Sequence, residues 1–227
     1  PPSKKVAEKI DAPSYQHIGL AYLISSVEKS GYPVKVIDAK LDRLGFSETL
    51  KEIGNYAPDI LGITAKTHEV NIAAEIAQNY KRINPRVKVV LGGVHITALP
   101  EDTLTRYQQI DMGIIGEGEL SFVDLIKAIE NGVKDYSSIP GVAFRLVDSS
   151  IKHTPSKRIE DLDSLPFPSW RHFKNATIYS LMATRGCPFS CVFCMQALGK
   201  TVRKRSCENI IEEIERVIKE KLPERFF

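Results

Sequence analysis

The sequence has 227 residues, a formal net charge of +3, 43% hydrophobic residues and 26% charged residues. This composition is typical of a soluble globular protein with one large domain or two smaller ones. The small net charge argues against a nucleic-acid partner, and no apolar run approaches the roughly 20 residues of a membrane span.

The first part of the chain alternates between helix and strand patterns. Helices are predicted over 17–29, near 46–56, along the 72–80 stripe and over 120–131, and strands over 34–37, 60–63, 87–91 and 112–115. Short apolar strands between amphipathic helices predict a parallel sheet covered on both faces, a doubly wound, Rossmann-like α/β domain. Such a sheet ordinarily begins with a strand, so we expect the sequence to be a fragment whose first strand precedes Pro1. The opening residues also lack the apolar core of a secretory signal.

Beyond residue 135 this alternation stops. Residues 141–147 and 151–154 alternate weakly around a polar turn, which predicts a hairpin, and 165–170 form a proline-rich connector. A second unit then follows, with a strand over 179–184, a cysteine loop, a helix from Ser206 to about Lys221 and a further strand starting at 225–227. The predicted organisation is a Rossmann-like domain over 1–135, a hairpin and linker over 136–175, and an incomplete second domain over 176–227.

All four cysteines lie between positions 187 and 207. A disulfide framework would distribute its cysteines along the chain, so this clustering favours a reducing cytoplasm and a local metal site. Cys187, Cys191 and Cys194 have the spacing C-x-x-x-C-x-x-C, and Gly186 and Pro188 supply a bend. Thiolates are the usual ligands of iron–sulfur clusters. Three thiolates for four irons leave one iron open to a substrate, like the open position of a catalytic zinc.

Other interpretations of the cysteines remain open at this point. A structural zinc site needs a fourth ligand, and the nearest, Cys207 and His172, lie 13 residues after and 15 residues before the trio. A redox pair of Cys191 and Cys194 would leave Cys187 unused, and plain buried thiols are the third alternative. Cys207 itself is expected to be unliganded near a helix N-terminus. The run Arg203-Lys204-Arg205 is expected to be a solvated turn.

The segment 184–194, with the aromatic Phe193 just before the third cysteine, resembles the signature of the radical S-adenosylmethionine superfamily. The strand–loop–helix context is similar to the first βα unit of that family's partial TIM-type barrel. The resemblance implies a 4Fe–4S cluster on Cys187, Cys191 and Cys194. It also implies that the amine and carboxylate of S-adenosylmethionine chelate the fourth iron, that a 5′-deoxyadenosyl radical results, and that Phe193 lies near the adenine.

Ligands of open α/β sheets bind outside the carboxyl ends of the strands. Besides Asp38, these ends carry Thr64, Gly92, Gly93, His95, Gly116, Glu117, Gly118 and Glu119. The glycines let backbone approach a ligand closely, although they equally suit tight strand-to-helix turns, and His95 equally suits an ordinary loop position. The dinucleotide fingerprint G-x-G-x-x-G is absent, which argues against a nicotinamide or flavin site.

Together with the cysteine loop, the Gly92-Gly93 turn and the Gly-Glu-Gly-Glu loop at 116–119 resemble a cobalamin-binding domain joined to a radical S-adenosylmethionine domain. Relatives of this group often begin with a strand running into Asn-Pro-Pro, which would account for Pro1-Pro2. The D-x-H-x-x-G motif of histidine-ligated cobalamin proteins is absent, so cobalamin would rest on the loops named above.

The leading hypothesis is therefore a radical enzyme using cobalamin, with methyl transfer or ring-forming chemistry on a small-molecule substrate and an electron donor such as flavodoxin or ferredoxin. The 227 residues alone are expected to be inactive, because later barrel strands are missing from them. The alternatives are a cobalamin-independent radical enzyme with a relic Rossmann domain, or a corrinoid-binding module. The methylthiotransferase branch is set aside, because it needs three further cysteines and the first 186 residues contain none.

Overall fold

The structure is a computed structural model that describes residues 17–221 and 223–226. Its first part contains the helices α1 (Ile18–Lys29), α2 (Phe46–Tyr56), α3 (Val70–Ile83), α4 (Val94–Ala98), α5 (Pro100–Arg106) and α6 (Ser121–Glu130). The strands of this part are β1 (Ile60–Thr64), β2 (Lys88–Gly92), β3 (Met112–Ile114), β4 (Val142–Arg145) and β5 (Ile151–His153). The predicted α/β class is confirmed. Pro1 and Pro2 lie outside the described residues.

The five strands form one sheet in the order β1-β2-β3-β4-β5. The pairs β1–β2 and β2–β3 are parallel, whereas β3–β4 and β4–β5 are antiparallel. The predicted hairpin therefore forms, and it extends the edge of the sheet, which makes the sheet mixed. The domain boundaries at 135 and 175 remain a prediction.

Side chains of the central strand β2 alternate between two hydrophobic cores, one on each face of the sheet. Val89 and Leu91 pack in a cluster with Ala73 and Ala77 of α3, whereas the intervening Val90 packs with Leu125 of α6. Successive side chains of a strand point to opposite faces, and both faces here are covered by helices. This two-sided burial explains why the strands appear in the sequence as unbroken apolar runs.

The strand predicted over 34–37 is not found in the described part of the chain, where this segment carries no strand pairing. Val34 and Val36 are only partly buried and pack against the cluster that contains Trp170, while Ile37 packs against the cluster of α3. A cavity lies between this segment and β1. Because a strand is defined by its backbone partner, the apolar pattern of 34–37 alone does not make this segment a strand.

The second part of the chain contains β6 (Ile178–Tyr179), β7 (Thr184–Arg185), β8 (Arg203–Lys204), helix α7 (Cys207–Lys221) and β9 (Arg225–Phe226). Strand β6 pairs in parallel with β9 across α7, which is a βαβ arrangement. The single strand predicted over 179–184 is wrong, because its two ends pair with different partners: β6 with β9 and β7 with β8. Phe227 lies outside the described residues.

Among the described residues, no helix combines the length and the apolar character needed to cross a bilayer.

Candidate functional site

A cavity of about 360 Å³ lies between the 33–37 segment and β1 and reaches the carboxyl ends of β1, β2 and β3. Its walls include apolar side chains from α1, β1 and α6, such as Leu23, Ile63 and Phe122. At the strand ends it is lined by predicted site residues: Thr64, Gly92, Gly93, Gly116, Glu117, Gly118 and Glu119. The structure thus brings together, around one cavity, three loops that are distant in sequence.

The two glycines of the Gly92-Gly93 turn differ in how closely the protein packs around them. Gly93 has φ +97°, and a Cβ there would lie 2.8 Å from the carbonyl oxygen of Ala65 and 2.9 Å from Oγ1 of Thr64. Gly92 is not crowded: the nearest atom to a Cβ there would be the carbonyl oxygen of Ile63 at 4.0 Å. Gly93 therefore packs the turn against β1, while Gly92 leaves its backbone open to a ligand.

Gly116 begins the Gly-Glu-Gly-Glu loop in a left-handed conformation, with φ +77°. Its amide donates a hydrogen bond to Oγ1 of Thr97 at 3.1 Å, and Thr97 Oγ1 donates in turn to the carbonyl oxygen of Gly93 at 2.8 Å. These two hydrogen bonds fix the position of the Gly116 turn relative to the Gly92-Gly93 turn at the wall of the cavity.

The carboxylates of Glu117 and Glu119 are buried in a network of ion pairs with arginines from the second part of the chain. Arg185 donates to Glu117 Oε1 at 2.9 Å and to Glu119 Oε1 at 2.6 Å, and Arg203 donates to Glu117 Oε2 at 2.7 Å. Burial alone would raise the pKa of Glu117, but hydrogen bonds from Arg203, the Ile159 amide and Arg185 outweigh it and lower the pKa. Glu117 is therefore a charged carboxylate at neutral pH.

His95 does not line the cavity. It is a buried residue of α4, and its Nδ1 lies 3.3 Å from Oγ1 of Thr67. Burial lowers the pKa of His95, which keeps the ring neutral.

The cysteine loop is closed at its base by the antiparallel pair of β7 and β8. Gly186, just after β7, has φ +96°, and a Cβ there would collide with the carbonyl oxygen of Thr201. The amide of Cys187 donates to the carbonyl oxygen of Gly199 at 2.9 Å, and that of Cys194 donates to the carbonyl oxygen of Cys191 at 3.0 Å. Glycine at 186 is thus required by the geometry of the loop.

The thiols of Cys187, Cys191 and Cys194 are free and exposed at the tip of this loop, as is the ring of Phe193. Cys207 is also exposed, at the first residue of α7. Within the described ranges, no three His, Cys, Asp or Glu side chains are grouped closely enough to hold a metal ion. The donor set nevertheless fits an iron–sulfur cluster, because three unoxidised, accessible thiols lie on one short loop.

Sequence reasoning missed the arginines that join the two parts of the chain. The expectation of a solvated turn over 203–205 is wrong for Arg203 and Arg205, which are buried. Arg205 forms an ion pair with Glu213 of α7 at 2.5 Å. The only signal in the sequence is that arginine occupies alternate positions, 203 and 205, as in a strand with one buried face.

Comparison with known proteins relates the chain to one family. Residues 12–126, just over half of the 227, match the family described as B12 binding domain. An uncharacterized methyltransferase of Pyrococcus horikoshii, PH0819, is 35% identical over an alignment of 223 residues, and the match covers 94% of this chain and 48% of that protein. The anaerobic magnesium-protoporphyrin IX monomethyl ester cyclase of Rubrivivax gelatinosus is 31% identical over 88% of this chain and 39% of that protein. The chain thus spans less than half the length of these two relatives.

Two solved structures share the fold. The cobalamin-dependent S-adenosylmethionine radical enzyme OxsB, with aqua-cobalamin and S-adenosylmethionine bound, superposes with a TM-score of 0.79 at 22% identity, over 90% of this chain and 29% of that one. The radical S-adenosylmethionine methyltransferase TsrM of Kitasatospora setae, with cobalamin and a [4Fe-4S] cluster bound, gives a TM-score of 0.73 at 19% identity, over 94% of this chain and 44% of that one. At these identities the likeness concerns the fold. By the match over residues 12–126, this chain belongs to the B12 binding domain family.

Proposed function

We propose that the chain is the cobalamin-binding domain and the beginning of the radical S-adenosylmethionine domain of an enzyme that transfers a methyl group to a small molecule or forms a ring on it. One observation carries the proposal. Arg185, which immediately precedes Gly186 and the first cysteine, lines the cavity of the B12 binding domain and donates to both carboxylates of the 116–119 loop. A cofactor in the cavity and a cluster on the loop would therefore act at one edge of the molecule.

The cavity supports the assignment of a corrinoid site. Ligand pockets span about 300–1,000 Å³. The cavity, at about 360 Å³, is near the lower end of this range, so it suits one portion of a corrinoid. The open backbone at Gly92, the hydroxyl of Thr64 and the 116–118 turn are the groups that would hold it. Because His95 does not line the cavity, it does not serve as a cobalt ligand in this proposal.

The cysteine loop supports the assignment of a cluster site. Cys187, Cys191 and Cys194 would hold a 4Fe–4S cluster, and the ring of Phe193, 89% exposed, would lie against the adenine of S-adenosylmethionine. When bound, the cluster and S-adenosylmethionine supply a 5′-deoxyadenosyl radical and cobalamin supplies a transferable methyl group. The residues of this chain bind and orient these groups, and Gly186 sets the curvature of the loop.

The exposed loop also leaves room for an electron donor such as flavodoxin or ferredoxin. The four free thiols suit a reducing cytoplasm. The two relatives, named as a methyltransferase and a cyclase, support both reaction types. The two solved structures support all three cofactors, since between them they hold cobalamin, S-adenosylmethionine and a [4Fe-4S] cluster.

Two measurements test the proposal. The first mixes the purified chain with hydroxocobalamin and follows the visible bands through gel filtration. Retained corrinoid with a shifted spectrum is expected. No retained corrinoid would favour a cobalamin-independent radical enzyme with a relic Rossmann domain.

The second measures iron and sulfide after anaerobic reconstitution. Wild type and Cys207→Ala, the matched control outside the trio, are expected to bind about four irons per chain, and Cys191→Ala to lose the cluster. Corrinoid binding without any cluster would leave a corrinoid-binding module. Zinc in place of iron would refute the radical chemistry.

A further inference from the structure

The two strands that close the cysteine loop place like charges opposite each other. Arg185 of β7 and Arg203 of β8 are direct partners in the antiparallel register. Side chains of such partners lie on the same face of the pair, where like charges destabilise it. Both arginines are also buried, each with 5% of its surface exposed, so water screens little of the repulsion. The pairing of β7 with β8 at the base of the loop is therefore unfavourable unless a negative charge compensates the two arginines.

Glu117 is the group that lies between the two guanidinium groups. One oxygen accepts from Nη1 of Arg185 at 2.9 Å, and the other accepts from Nη1 of Arg203 at 2.7 Å and from the amide of Ile159 at 2.9 Å. In the part of the chain that the structure describes, Glu119 accepts from Arg185 alone, at 2.6 Å. Glu117 is thus the carboxylate that bridges both strands of the base.

The remaining neighbours do not replace this charge. Nε of Arg185 donates to the sulfur of Met182, and its guanidinium lies 5.1 Å from the ring centre of Tyr22. Arg203 otherwise donates to the carbonyl oxygens of Ile159 and Leu198. These partners are neutral, so the two carboxylates of the 116–119 loop balance the two guanidinium groups.

We propose that Glu117 is a positioning residue that closes the base of the cysteine loop by neutralising Arg185 and Arg203. An effect of Glu117 on a bound cluster rests on the proposed function. The closure of the loop base, in contrast, involves only residues of this chain. It gives the side-chain carboxylate of Glu117 a role in the cysteine loop, in addition to any contact that the 116–118 turn would make with a corrinoid. Since Glu117 also lines the cavity, a ligand bound there would contact the residue that closes the base of the cysteine loop.

Hydrogen–deuterium exchange of the iron-free chain tests the closure directly. The reporters are the amide of Cys187, which donates to Gly199, and that of Arg205, which donates to the carbonyl oxygen of Ala183. Glu117→Gln keeps the shape and removes the charge. It is expected to speed exchange at both reporters by about tenfold or more, because removing one partner of a buried pair leaves an uncompensated charge. Exchange in α3 should stay unchanged.

Two further variants separate charge balance from general damage. Arg203→Gln combined with Glu117→Gln restores the balance, so its reporters should exchange more slowly than in Glu117→Gln alone. Glu28→Gln is the matched control, since Glu28 is a largely buried carboxylate that accepts from Ser169, Arg171 and His172, away from the loop. It should leave the reporters within about twofold of wild type. If Glu117→Gln alone does not fold, the double variant must be better protected than Arg203→Gln alone.

Three results would overturn the proposal: reporter exchange in Glu117→Gln within twofold of wild type, equal acceleration in Glu28→Gln, or no recovery in the double variant. A second readout uses the reconstituted chain, in which Glu117→Gln should lose its cluster to a chelator several-fold faster and alter the electron paramagnetic resonance signal of the reduced cluster. A wild-type chain that takes up no cluster would refute the radical function, while the exchange data would still decide the role of Glu117.

Discussion

The phenol oxygen of Tyr22 accepts a hydrogen bond from the guanidinium of Arg205 at 3.0 Å, and both side chains are buried. Tyr22 belongs to α1 of the B12 binding domain, whereas Arg205 lies between β8 and α7. The contact therefore joins the beginning of the described chain to the second unit, next to the pair that Arg205 forms with Glu213.

Tyr22→Phe is expected to lower the free energy of unfolding by about 1–3 kcal/mol, because a buried charged donor loses one of its partners while the ring remains. Burial, assisted by Glu213, raises the pKa of Tyr22 to about 12, so the phenol is protonated at neutral pH. Urea denaturation at pH 7 measures the change. Tyr32→Phe is the control, because Tyr32 donates to Glu130 at 2.7 Å on the exposed surface. Loss of this hydrogen bond should lower the free energy of unfolding by less than about 0.5 kcal/mol. Equal decreases for Tyr22→Phe and Tyr32→Phe would contradict the prediction.

Gly93→Ala is expected to destabilise the fold by about 2–5 kcal/mol, the sum of a left-handed conformation and of overpacking against Ala65 and Thr64. Gly31→Ala is the matched control: Gly31 has φ +85°, but a Cβ added there would have no atom of residues 17–221 or 223–226 within 4 Å. It should cost only about 1–2 kcal/mol of backbone strain. Denaturant midpoints of the two variants provide the comparison. A Gly31 variant as unstable as the Gly93 variant would show that close packing at the turn contributes nothing.

The sequence predicted those elements whose pattern lies within one short segment. The apolar stripes predicted α1, α3 and α6, and the spacing of the cysteines identified the loop that the structure leaves exposed. The 34–37 segment was predicted wrongly because an apolar run does not specify a backbone partner. The burial of Arg203 depends on Glu117, 86 residues away in sequence, and no periodicity within one segment indicates such a pair.

Gly92→Ala is expected to leave the unfolding free energy within about 1 kcal/mol of wild type but to weaken hydroxocobalamin retention by about tenfold or more. Among the described residues, the added methyl group meets no atom closer than 4.0 Å, so we expect any loss of retention to arise from contact with the ligand. His95→Gln, at a predicted site residue that does not line the cavity, should keep retention within about twofold. Equilibrium titration followed by the corrinoid absorbance measures both. Retention that depends on His95 and not on Gly92 would move the corrinoid site away from the cavity.

Glu28→Gln tests the clamp between α1 and the proline-rich connector, by which we mean the hydrogen bonds that Glu28 accepts from residues 169, 171 and 172. Burial alone would raise the pKa of Glu28, but the hydrogen bonds from His172, Arg171 and Ser169 outweigh it and lower the pKa below the ordinary 4.5. A lowered folded-state pKa stabilises the protein above the unfolded-state value, and this contribution is lost as the pH falls through the folded-state pKa. We therefore expect Glu28→Gln to cost about 1–2 kcal/mol at pH 7, and the difference from wild type to shrink below about pH 4.5.

The control for this clamp is Glu212→Gln. Glu212 accepts from Arg216 at 2.6 Å, the same distance as between Arg171 and Glu28, but its side chain is 54% exposed against 19% for Glu28. Solvent and salt screen such an exposed pair, so its removal should cost less than about 0.5 kcal/mol with little dependence on pH. Urea unfolding of wild type and both variants between about pH 3 and pH 7 makes the comparison. A Glu28 variant with an equally small and pH-independent cost would mean that the carboxylate does not hold the connector against α1.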